Sequence, residues 1–356
     1  MLKDYLYSLA TDKEKGFIAA VFKILLFMLS LIYGLAVRIL LFIYRIRPCR
    51  LSPKVISVGN ITLGGTGKTL LVEMLSRYLK DKGHKVSVLS RGYKKPAVCS
   101  LSLAPGYQTM GDEPYMLSRN LGNIPVVVDK DRIRGAMKAV RDYGSDTVIL
   151  DDGFQQWKIR KNLDIVAIDA RNPLGNLNLI PRGILREPLS SLRRADIFVL
   201  TKINLNPDNQ NIKRLLNQIN PGALIVEAAY QPEGFYKFGQ SRDNLLSPGE
   251  FIGEKVSLVC GIADPQSFEN MVSNLGVDIG ACFRFPDHHR YSEADLKNII
   301  KDSKAANISK VITTEKDSVR LPASGCGLPG IQWHVLRIKL EVAQYETFVN
   351  RINSLY

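Results

Sequence analysis

The stretch "GNITLGGTGKT", residues 59–69, constrains the fold more than any other part of the chain. It follows the apolar run "KVISV" (54–58) and precedes a helical pattern that starts at Lys68. A strand, a glycine-rich turn and a helix N-terminus together form an anion cradle, because backbone N–H groups converge there. The strict phosphate-loop pattern needs glycine at position 62, where this chain has Thr62. Three further glycines keep the turn permissive, so we predict a nucleotide site.

In such a loop Lys68 reaches the β- and γ-phosphates, and the Thr69 hydroxyl is a ligand for Mg²⁺. The predicted nucleotide-binding residues are Thr62, Leu63, Gly64, Gly65, Thr66, Gly67, Lys68 and Thr69.

A second segment, "DTVILDDGFQ" (146–155), resembles a Walker B strand, in which apolar residues run into a carboxylate that holds Mg²⁺. Here the run ends in Asp151 and Asp152. The residues alone do not decide which of the two contacts the metal. After a phosphate loop in the same domain, the pair indicates a P-loop nucleotide site.

Short apolar strands alternate with amphipathic helices after Pro53, which favours a mostly parallel sheet with helices on both faces. We therefore predict an α/β fold of P-loop NTPase type, with a second, smaller α/β domain. The predicted strands are Lys54–Val58, Lys85–Ser90, Pro125–Asp129, Thr147–Leu150, Asp164–Asp169, Asp196–Thr201, Lys255–Cys260, Lys310–Thr314 and Gln332–Lys339. The predicted helices are Lys68–Lys80, Glu113–Leu121, Arg132–Tyr143 and one starting at Gln344.

The predicted domain organisation has four parts. Residues 1–50 form an N-terminal helical segment, 51–229 the nucleotide-binding and catalytic domain, 230–254 a hairpin or linker, and 255–356 the second domain. The linker is predicted from the Gly-, Pro-, Gln- and Ser-rich texture near residues 230–255.

Residues 16–44 are almost entirely apolar. As a helix this run would be roughly 43 Å long, more than the hydrocarbon core of about 30 Å. A narrow polar stripe interrupts it, formed by Lys23, Ser30, Gly34, Arg38 and Arg45. Three placements stay open: a tilted helix with this stripe toward headgroups, a spanning helix, or a buried core helix. We predict association with the cytoplasmic side of a membrane.

The chain carries 48 Lys and Arg against 34 Asp and Glu, a net charge of +14 that suits an anionic partner. Residues 1–50 hold eight of the basic and three of the acidic residues. The five cysteines are scattered without a CxxC pair, which argues against a disulfide framework or a zinc site.

Four further clusters carry chemistry. "SRGY" (90–93) contains Arg91 and Tyr93, and "GDEP" (111–114) contains Asp112 and Glu113. "DRIRGA" (131–136) contains Arg132, and "FPDHHRY" (285–291) contains a pair of adjacent histidines. Each has a structural alternative: Asp112 as a helix N-cap, the arginines as surface charges, the histidine pair as a solvated loop.

Together these segments resemble one family, the tetraacyldisaccharide 4'-kinases of lipid A biosynthesis. The resemblance spans nearly the whole chain and rests on an N-terminal apolar helix followed, in family order, by "VGNITLGGTGKT", "SRGY", "GDEP", "VDKDRIRGA", "ILDDGFQ", "LIPRGILREPL", "LTK", "FPDHHRY" and "TTEKDSVRL". Thr62 matches the family's own version of the phosphate loop.

The resemblance implies transfer of the ATP γ-phosphate to the 4'-hydroxyl of tetraacyldisaccharide 1-phosphate, which gives lipid IVA. It also implies Mg²⁺, two α/β/α domains joined by a hairpin hinge, and work at the cytoplasmic face of the inner membrane of Gram-negative bacteria. The expected partners are the lipid substrate and the membrane surface, through residues 16–44, and no nucleic acid. Acyl-chain specificity, protein partners and oligomeric state stay open.

The resemblance also implies residue roles. Asp112 is the base acting on the 4'-hydroxyl, paired with a histidine of the second domain, with His288 favoured over His289. An Asp–His pair split between domains would assemble only on closure. Lys68 serves ATP, Glu113 joins the metal ligands, and Arg132 neutralises the transferring phosphate. Residues expected near the lipid or its phosphate are Arg91, Tyr93, Gln155, Arg182 and Arg186. For Arg182 and Arg186 the alternative is the role given to Arg132.

Two other classes compete with the kinase. One is a membrane-attached switch ATPase or GTPase of partitioning or metallochaperone type, without a lipid acceptor. Leu63 stands where a partitioning ATPase has an extra lysine, and metal-loading Cys/His clusters are missing. The other is a nucleic-acid-binding ATPase, suggested by the net charge. Neither predicts Asp112 and His288 as a working pair.

Overall fold

The computed structural model describes residues 2–92, 110–206, 208–240, 242, 244–322 and 330–356. The chain divides into two compact units. The first contains residues 1–91, 129–230 and 340–356, and the second contains residues 92–128 and 231–339. Compared with the predicted boundaries, residues 92–128 join the second unit and the last 17 residues join the first.

The helices and strands follow the chain in α/β alternation. In the first unit they are α1 (Leu2–Ala10), α2 (Phe17–Ile46), β1 (Lys54–Gly59), α3 (Lys68–Asp81), β2 (Val86–Ser90), α5 (Arg132–Tyr143), β4 (Thr147–Asp151), β5 (Leu163–Asp169), β6 (Ile197–Thr201), α6 (Gln210–Ile219) and α10 (Tyr345–Asn353). In the second unit they are α4 (Asp112–Leu121), β3 (Val126–Val128), β8 (Lys255–Cys260), α7 (Pro265–Ser273), β9 (Asp278–Arg284), α8 (Glu293–Ala305), β10 (Lys310–Thr314) and α9 (Glu315–Ser318). Two strands run from one unit into the other, β7 (Leu224–Lys237) and β11 (Gln332–Val342).

The sheet of the first unit has the strand order β2-β4-β1-β5-β6-β7, with the pairs parallel throughout. In β1 every residue after Lys54 is buried, as expected of a central strand covered on both faces. The carboxyl ends of β1 and β4 meet at one edge, because Val58 is in register with Asp151. The phosphate loop and the Asp pair therefore emerge side by side.

The second unit orders its strands β11-β10-β8-β9, again parallel. A capping box, in which the Ser292 hydroxyl and the Asp295 carboxylate bond each other's backbone N–H, starts α8. The predicted mostly parallel α/β fold is confirmed. Sequence reasoning missed β7, β9 and helices α1, α6, α7, α8 and α9, and β7 runs as strand into the predicted linker.

Helix α2 is the apolar N-terminal run, and most of its large side chains are exposed, including Phe17 at 85% and Ile32 at 67%. It is the one helix among the described residues that is long and apolar enough to cross a membrane. Its buried residues form a single stripe made of Ala19, Leu26, Ser30, Gly34 and Val37. A helix with this pattern leaves a wide apolar surface uncovered by the first unit.

The predicted polar stripe of α2 faces the protein in its first half. The Lys23 ammonium pairs with Asp12 at 2.8 Å, and Ser30 and Gly34 are buried. A Cβ on Gly34 would lie 2.7 Å from Leu179 Cδ1, so the helix backbone approaches the body closely there. The alternative in which Lys23, Ser30 and Gly34 point toward lipid headgroups is therefore wrong, whereas Arg38 and Arg45 are exposed.

Candidate active site

The phosphate loop lies between the end of β1 at Gly59 and the start of α3 at Lys68. Gly67 caps the helix in the left-handed region at φ 81°, and Gly64 lies at φ 112°. These angles favour glycine, because a Cβ is strained there. The loop therefore has the conformation that turns N–H groups toward an anion at the α3 N-terminus.

Thr62 has a structural reason to differ from the general pattern. It forms an antiparallel bridge with Leu185, and the flanking Leu63 N–H donates to Ile184 O at 2.8 Å. The side chain of Thr62 is buried. A β-branched residue suits such an extended, buried position better than glycine does. The loop is thus braced by residues 184–186.

Asp152 is the acidic centre of the nucleotide site. Arg186 Nη1 lies 2.9 Å from its Oδ1 and Lys68 Nζ lies 3.3 Å from the same oxygen. Burial acts to raise the pKa of Asp152, but the charges of Lys68 and Arg186 outweigh it and lower the pKa to about 2. The backbone of Asp152 is left-handed at φ 53°, a conformation that is uncommon outside glycine and concentrates at functional sites.

Asp151 is buried and differently held. Ser90 Oγ donates to its Oδ2 at 3.1 Å. Arg132, itself buried, donates from Nη2 to the Asp151 carbonyl at 3.2 Å and from Nη1 to the Asp129 carbonyl at 2.8 Å. Burial lowers the pKa of Arg132, against the opposing effect of Asp151. Arg132 therefore supports the backbone that carries the Asp pair, and its predicted role toward the transferring phosphate stays a prediction.

Two residues at the end of β6 complete the support of the loop, and residue-level reasoning missed both. Thr201 Oγ1 donates to Thr66 O at 3.0 Å, and Lys202 Nζ donates to Gly65 O at 2.7 Å. Lys202 also pairs with Asp169 at 2.5 Å and has a left-handed backbone at φ 59°. The motif "LTK" was the available signal. Thr201 and Lys202, the last two residues of this motif, bond the carbonyl oxygens of the glycine-rich turn and so hold its path.

Gln155 lies behind the loop. Its Nε2 donates to Asn60 O at 3.0 Å and to Glu187 Oε1 at 3.1 Å. Glu187 is fully buried, and it also accepts from Trp157 Nε1 at 3.0 Å and from Arg194 Nη2 at 2.9 Å. These contacts make Gln155 a support for the start of the loop, and its predicted contact with the lipid stays a prediction.

The two arginines of "LIPRGILREPL" have different surroundings. Arg186 binds Asp152 and also Asn60 Oδ1, at 3.0 Å, and so belongs to the nucleotide site. Arg182 pairs with Asp12 at 2.9 Å in the turn between α1 and α2, where Asn176 bonds the same carboxylate. In this structure Arg182 anchors the N-terminal helices. Arg91 is exposed after β2, and Tyr93 lies outside the described residues.

The first unit offers hard oxygen donors for a cation. Mg²⁺ binds proteins through one or two carboxylates together with phosphate oxygens and water. Asp151, Asp152 and the Thr69 hydroxyl at the start of α3 are donors of that type. The described part of the chain contains no group of three or more His, Cys, Asp or Glu that could hold a metal. The oxygen donors of Asp151, Asp152 and Thr69 fit a cation of the Mg²⁺ type.

In the second unit His288 Nδ1 lies 3.2 Å from Asp112 Oδ2. Asp112 is the first residue of α4, whereas Gly111 occupies the N-cap, so the N-cap alternative for Asp112 is wrong. Both residues belong to the second unit. The expectation that the pair is divided between domains and assembles on closure is therefore wrong: the pair is formed within one unit.

Arg320 is the residue of this cluster that sequence reasoning missed. Its Nε donates to Asp112 Oδ2 at 2.7 Å, and its Nη2 lies 3.1 Å from His288 Nδ1. Its Nη1 donates to Gly261 O at 3.1 Å and lies 3.4 Å from Asp317 Oδ1. The side chain is only 1% exposed. The quoted motif "TTEKDSVRL" contains Arg320, but nothing in its letters points to Asp112.

His288 Nδ1 thus faces both a donor and an acceptor. A neutral ring with its proton on Nε2 accepts from Arg320, whereas a protonated ring donates from Nδ1 to Asp112. Nδ1 can therefore accept a hydrogen bond from Arg320 or donate one to Asp112, depending on which ring nitrogens carry a proton. His288 also has a left-handed backbone, at φ 63°, with its N–H donating to Gly261 O at 3.1 Å. Such backbone strain in a non-glycine residue is typical of functional positions.

The neighbouring His289 is held elsewhere. Its Nε2 lies 3.1 Å from Asp295 Oδ2, and its ring stacks on Phe285 with centroids 4.6 Å apart. Of the two histidines, His288 is the one beside Asp112. Glu113 faces Lys316 at 3.6 Å, and its predicted place among the metal ligands stays a prediction.

A parallel sheet with a phosphate loop after its central strand defines a P-loop nucleotide-binding protein, and the Asp112–His288–Arg320 cluster is a second group of titratable side chains, in the second unit. The family model for tetraacyldisaccharide-1-P 4'-kinase, LpxK, matches residues 22–356. The chain belongs to this family. The prediction of a kinase, made from the order of motifs, is confirmed.

Curated relatives carry the same description. The chain is 37% identical over 321 residues to the tetraacyldisaccharide 4'-kinase of Halothermothrix orenii, covering 84% of this chain and 83% of that protein. It is 33% identical over 361 residues to that of Desulfatibacillum aliphaticivorans, covering 96% and 94%. The crystal structure of the "apo" form of LpxK from Aquifex aeolicus in complex with ATP matches with TM-score 0.72 and 27% identity, over 92% of this chain and 97% of that one.

Proposed function

We propose that this chain transfers the γ-phosphate of ATP to the 4'-hydroxyl of tetraacyldisaccharide 1-phosphate, giving lipid IVA and ADP. The observation that carries the proposal is the 3.2 Å approach of His288 Nδ1 to Asp112 Oδ2 in a chain of this kinase family. A sugar hydroxyl is a weak nucleophile. Phosphate transfer to it therefore needs a group that accepts the hydroxyl proton.

The first unit supplies the ATP site in this proposal. Lys68 contacts the β- and γ-phosphates, and N–H groups of residues 62–69 bind phosphate oxygens. Thr69, Asp151 and Asp152 would hold Mg²⁺, which would neutralise charge on the phosphates. The Lys68–Asp152 contact of 3.3 Å supports this assignment, because it places the lysine of the phosphate loop next to one of the two carboxylates.

The second unit supplies the proton acceptor. Asp112 takes the proton of the 4'-hydroxyl as the oxygen attacks phosphorus, and the bond from the γ-phosphorus to the bridging oxygen of ADP breaks. His288 stabilises Asp112, and it can accept the proton from Asp112 at Nδ1 and release the proton of its other nitrogen, Nε2. Arg320 keeps the carboxylate in place through its 2.7 Å hydrogen bond.

Membrane association is the second part of the proposal. The exposed apolar surface of α2 inserts into the inner membrane at the cytoplasmic face, where ATP and the lipid acceptor are both available. Exposed Arg38 and Arg45 suit anionic headgroups. High-pH carbonate extraction of membranes separates two placements: a helix lying in the interface is released, whereas a spanning helix stays with the membrane.

The test is phosphate transfer from labelled ATP to tetraacyldisaccharide 1-phosphate in detergent micelles. Wild type is expected to give a phosphorylated lipid, and Asp112→Asn and His288→Ala are expected to lose about 10²-fold or more in kcat while ATP still binds. His289→Ala, which removes the adjacent histidine, is the matched control and should retain most activity. Lipid-independent ATP hydrolysis without a lipid product would contradict the proposal and favour the switch NTPase.

A further inference from the structure

One tyrosine of the apolar helix contacts the nucleotide site. Tyr33 Oη, on α2, donates to the backbone carbonyl of Arg186 at 2.8 Å. The two residues are 153 positions apart in sequence. The helix proposed to meet the membrane is therefore bonded to the residue that holds Asp152.

Arg186 connects this contact to the phosphate loop in two further ways. Its backbone N–H donates to Ile61 O at 2.7 Å, inside the glycine-rich segment. Its guanidinium contacts Asn60 Oδ1 at 3.0 Å and Asp152 Oδ1 at 2.9 Å. A shift of the Arg186 peptide would thus move both the loop pairing and the guanidinium.

The helix is closely seated where Tyr33 makes its bond. The adjacent Gly34 leaves no room for a side chain, because a Cβ would lie 2.7 Å from Leu179 Cδ1. Leu179 in turn bridges to Leu185 in parallel register, and Ile180 N–H donates to Leu185 O at 2.9 Å. Helix α2 therefore rests on the same segment that pairs with the phosphate loop.

We propose that Tyr33 is a positioning residue for the nucleotide site: its hydroxyl fixes the Arg186 peptide, and so ties the seating of helix α2 to the geometry of the phosphate loop and Asp152. The inference rests on the proposed function only in taking this loop as the ATP site. Residues that position reacting groups act through small displacements, and about 1 Å can cost 10²-fold in rate.

The test compares Tyr33→Phe with Tyr44→Phe. Both variants remove one hydroxyl from α2, but the contacts of Tyr44 are made by its ring, with the Trp157 ring 6.5 Å away and Lys158 Nζ 5.1 Å away, and phenylalanine keeps that ring. The first readout is the dissociation constant of a fluorescent ATP analogue, titrated into the full chain in detergent micelles without any lipid acceptor. The second is KM for ATP and kcat with the lipid.

Tyr33→Phe is expected to weaken nucleotide binding and raise KM for ATP by about three- to tenfold, the range of one net hydrogen bond. Melting temperature should fall by only about 2 to 4 °C, the cost of one net hydrogen bond, and binding to anionic vesicles should match wild type, because the ring and the apolar surface are kept. Tyr44→Phe should bind nucleotide as wild type does. Unchanged nucleotide binding in Tyr33→Phe overturns the proposal, as does an equal loss in Tyr44→Phe.

The nucleotide titration also separates this inference from the function itself. If wild type phosphorylates no lipid, the proposed function fails, yet a selective loss of nucleotide affinity in Tyr33→Phe still supports the positioning role. If the lipid is phosphorylated and Tyr33→Phe equals wild type in both readouts, only the positioning role fails.

Discussion

Arg320 donates a 2.7 Å hydrogen bond from Nε to Asp112 Oδ2 while its Nη2 lies 3.1 Å from His288 Nδ1. A buried guanidinium therefore contacts both members of the proposed acid–base pair at once. Its planar fork fixes the direction of the carboxylate, and its charge compensates that of Asp112 in a partly desolvated place. Asp112, His288 and Arg320 therefore form one hydrogen-bonded cluster.

Replacing Arg320 by Lys should show whether this geometry matters for catalysis. Lysine keeps the charge but loses the fork, so we expect kcat with the lipid to fall about tenfold or more with KM for ATP nearly unchanged. Steady-state kinetics measure both. The control is Arg284→Lys in the same unit, because Arg284 forms a similar forked contact with Glu269, at 2.6 and 2.7 Å, but is 56% exposed. Equal losses in the two variants would contradict a special role for Arg320.

Local features of the sequence predicted the first unit well. The phosphate loop and the pair Asp151–Asp152 each lie next to a strand end, and parallel strands bring such ends to one edge. Arg182 and Arg186 show the limit: four positions apart in one motif, they bind Asp12 and Asp152 respectively. The backbone path of residues 182–186 decides which carboxylate each arginine contacts, and no periodicity of the sequence encodes that path.

The second cluster was half predictable. Asp112 and His288 were paired through the family resemblance. The predicted domain boundaries placed them in different domains, whereas the structure places both in the second unit. Arg320 was not, because its contact with Asp112 spans 208 positions and arginine has no local signature for it. Thr201 and Lys202 were missed for the same reason. Their partners are backbone carbonyls of the loop, which every residue type has, so the sequence carries no signal for these contacts.

Gly67 is expected to tolerate no side chain. It lies at φ 81°, and a Cβ there would overlap the Tyr230 hydroxyl. We predict that Gly67→Ala lowers the free energy of unfolding by about 2 kcal/mol or more, from backbone strain and the clash together. Denaturant unfolding without nucleotide measures this. Gly65→Ala is the matched control, since a Cβ there meets nothing within 4 Å. A Gly67→Ala variant as stable as Gly65→Ala would contradict the prediction.

His334 should make the protein less stable in mild acid. Burial, together with the charges of Lys237 and Lys310, lowers its pKa from 6.5 to about 4. Between these values the unfolded chain binds a proton that the folded chain does not, so stability falls as pH falls from about 6.5 to about 4 and is unaffected by this group above 6.5.

The measurement compares unfolding free energies at pH 7.5 and pH 5.0 for wild type and His334→Leu. Wild type should lose up to about 2 kcal/mol more than the variant, the linkage expected for a group whose side chain is almost fully buried. His84→Leu is the control, because that ring is partly exposed, stacked on Tyr356 with centroids 3.8 Å apart and with Nδ1 4.0 Å from Asp146 Oδ1. Identical pH dependence in wild type and His334→Leu would rule the effect out.

Glu187 tests how the start of the phosphate loop is supported. It is fully buried and accepts from Arg194 at 2.9 Å, Trp157 at 3.0 Å and Gln155 at 3.1 Å, and Gln155 also holds the Asn60 carbonyl. Arg194→Met removes the compensating charge, so we expect a loss of about 3 kcal/mol in unfolding free energy. Adding Glu187→Gln removes the stranded charge, and the double variant should therefore be more stable than Arg194→Met alone. Urea unfolding of Arg194→Met, Glu187→Gln and the double variant decides the matter. Additive losses would mean that Trp157 and Gln155 suffice to hold the carboxylate without the arginine.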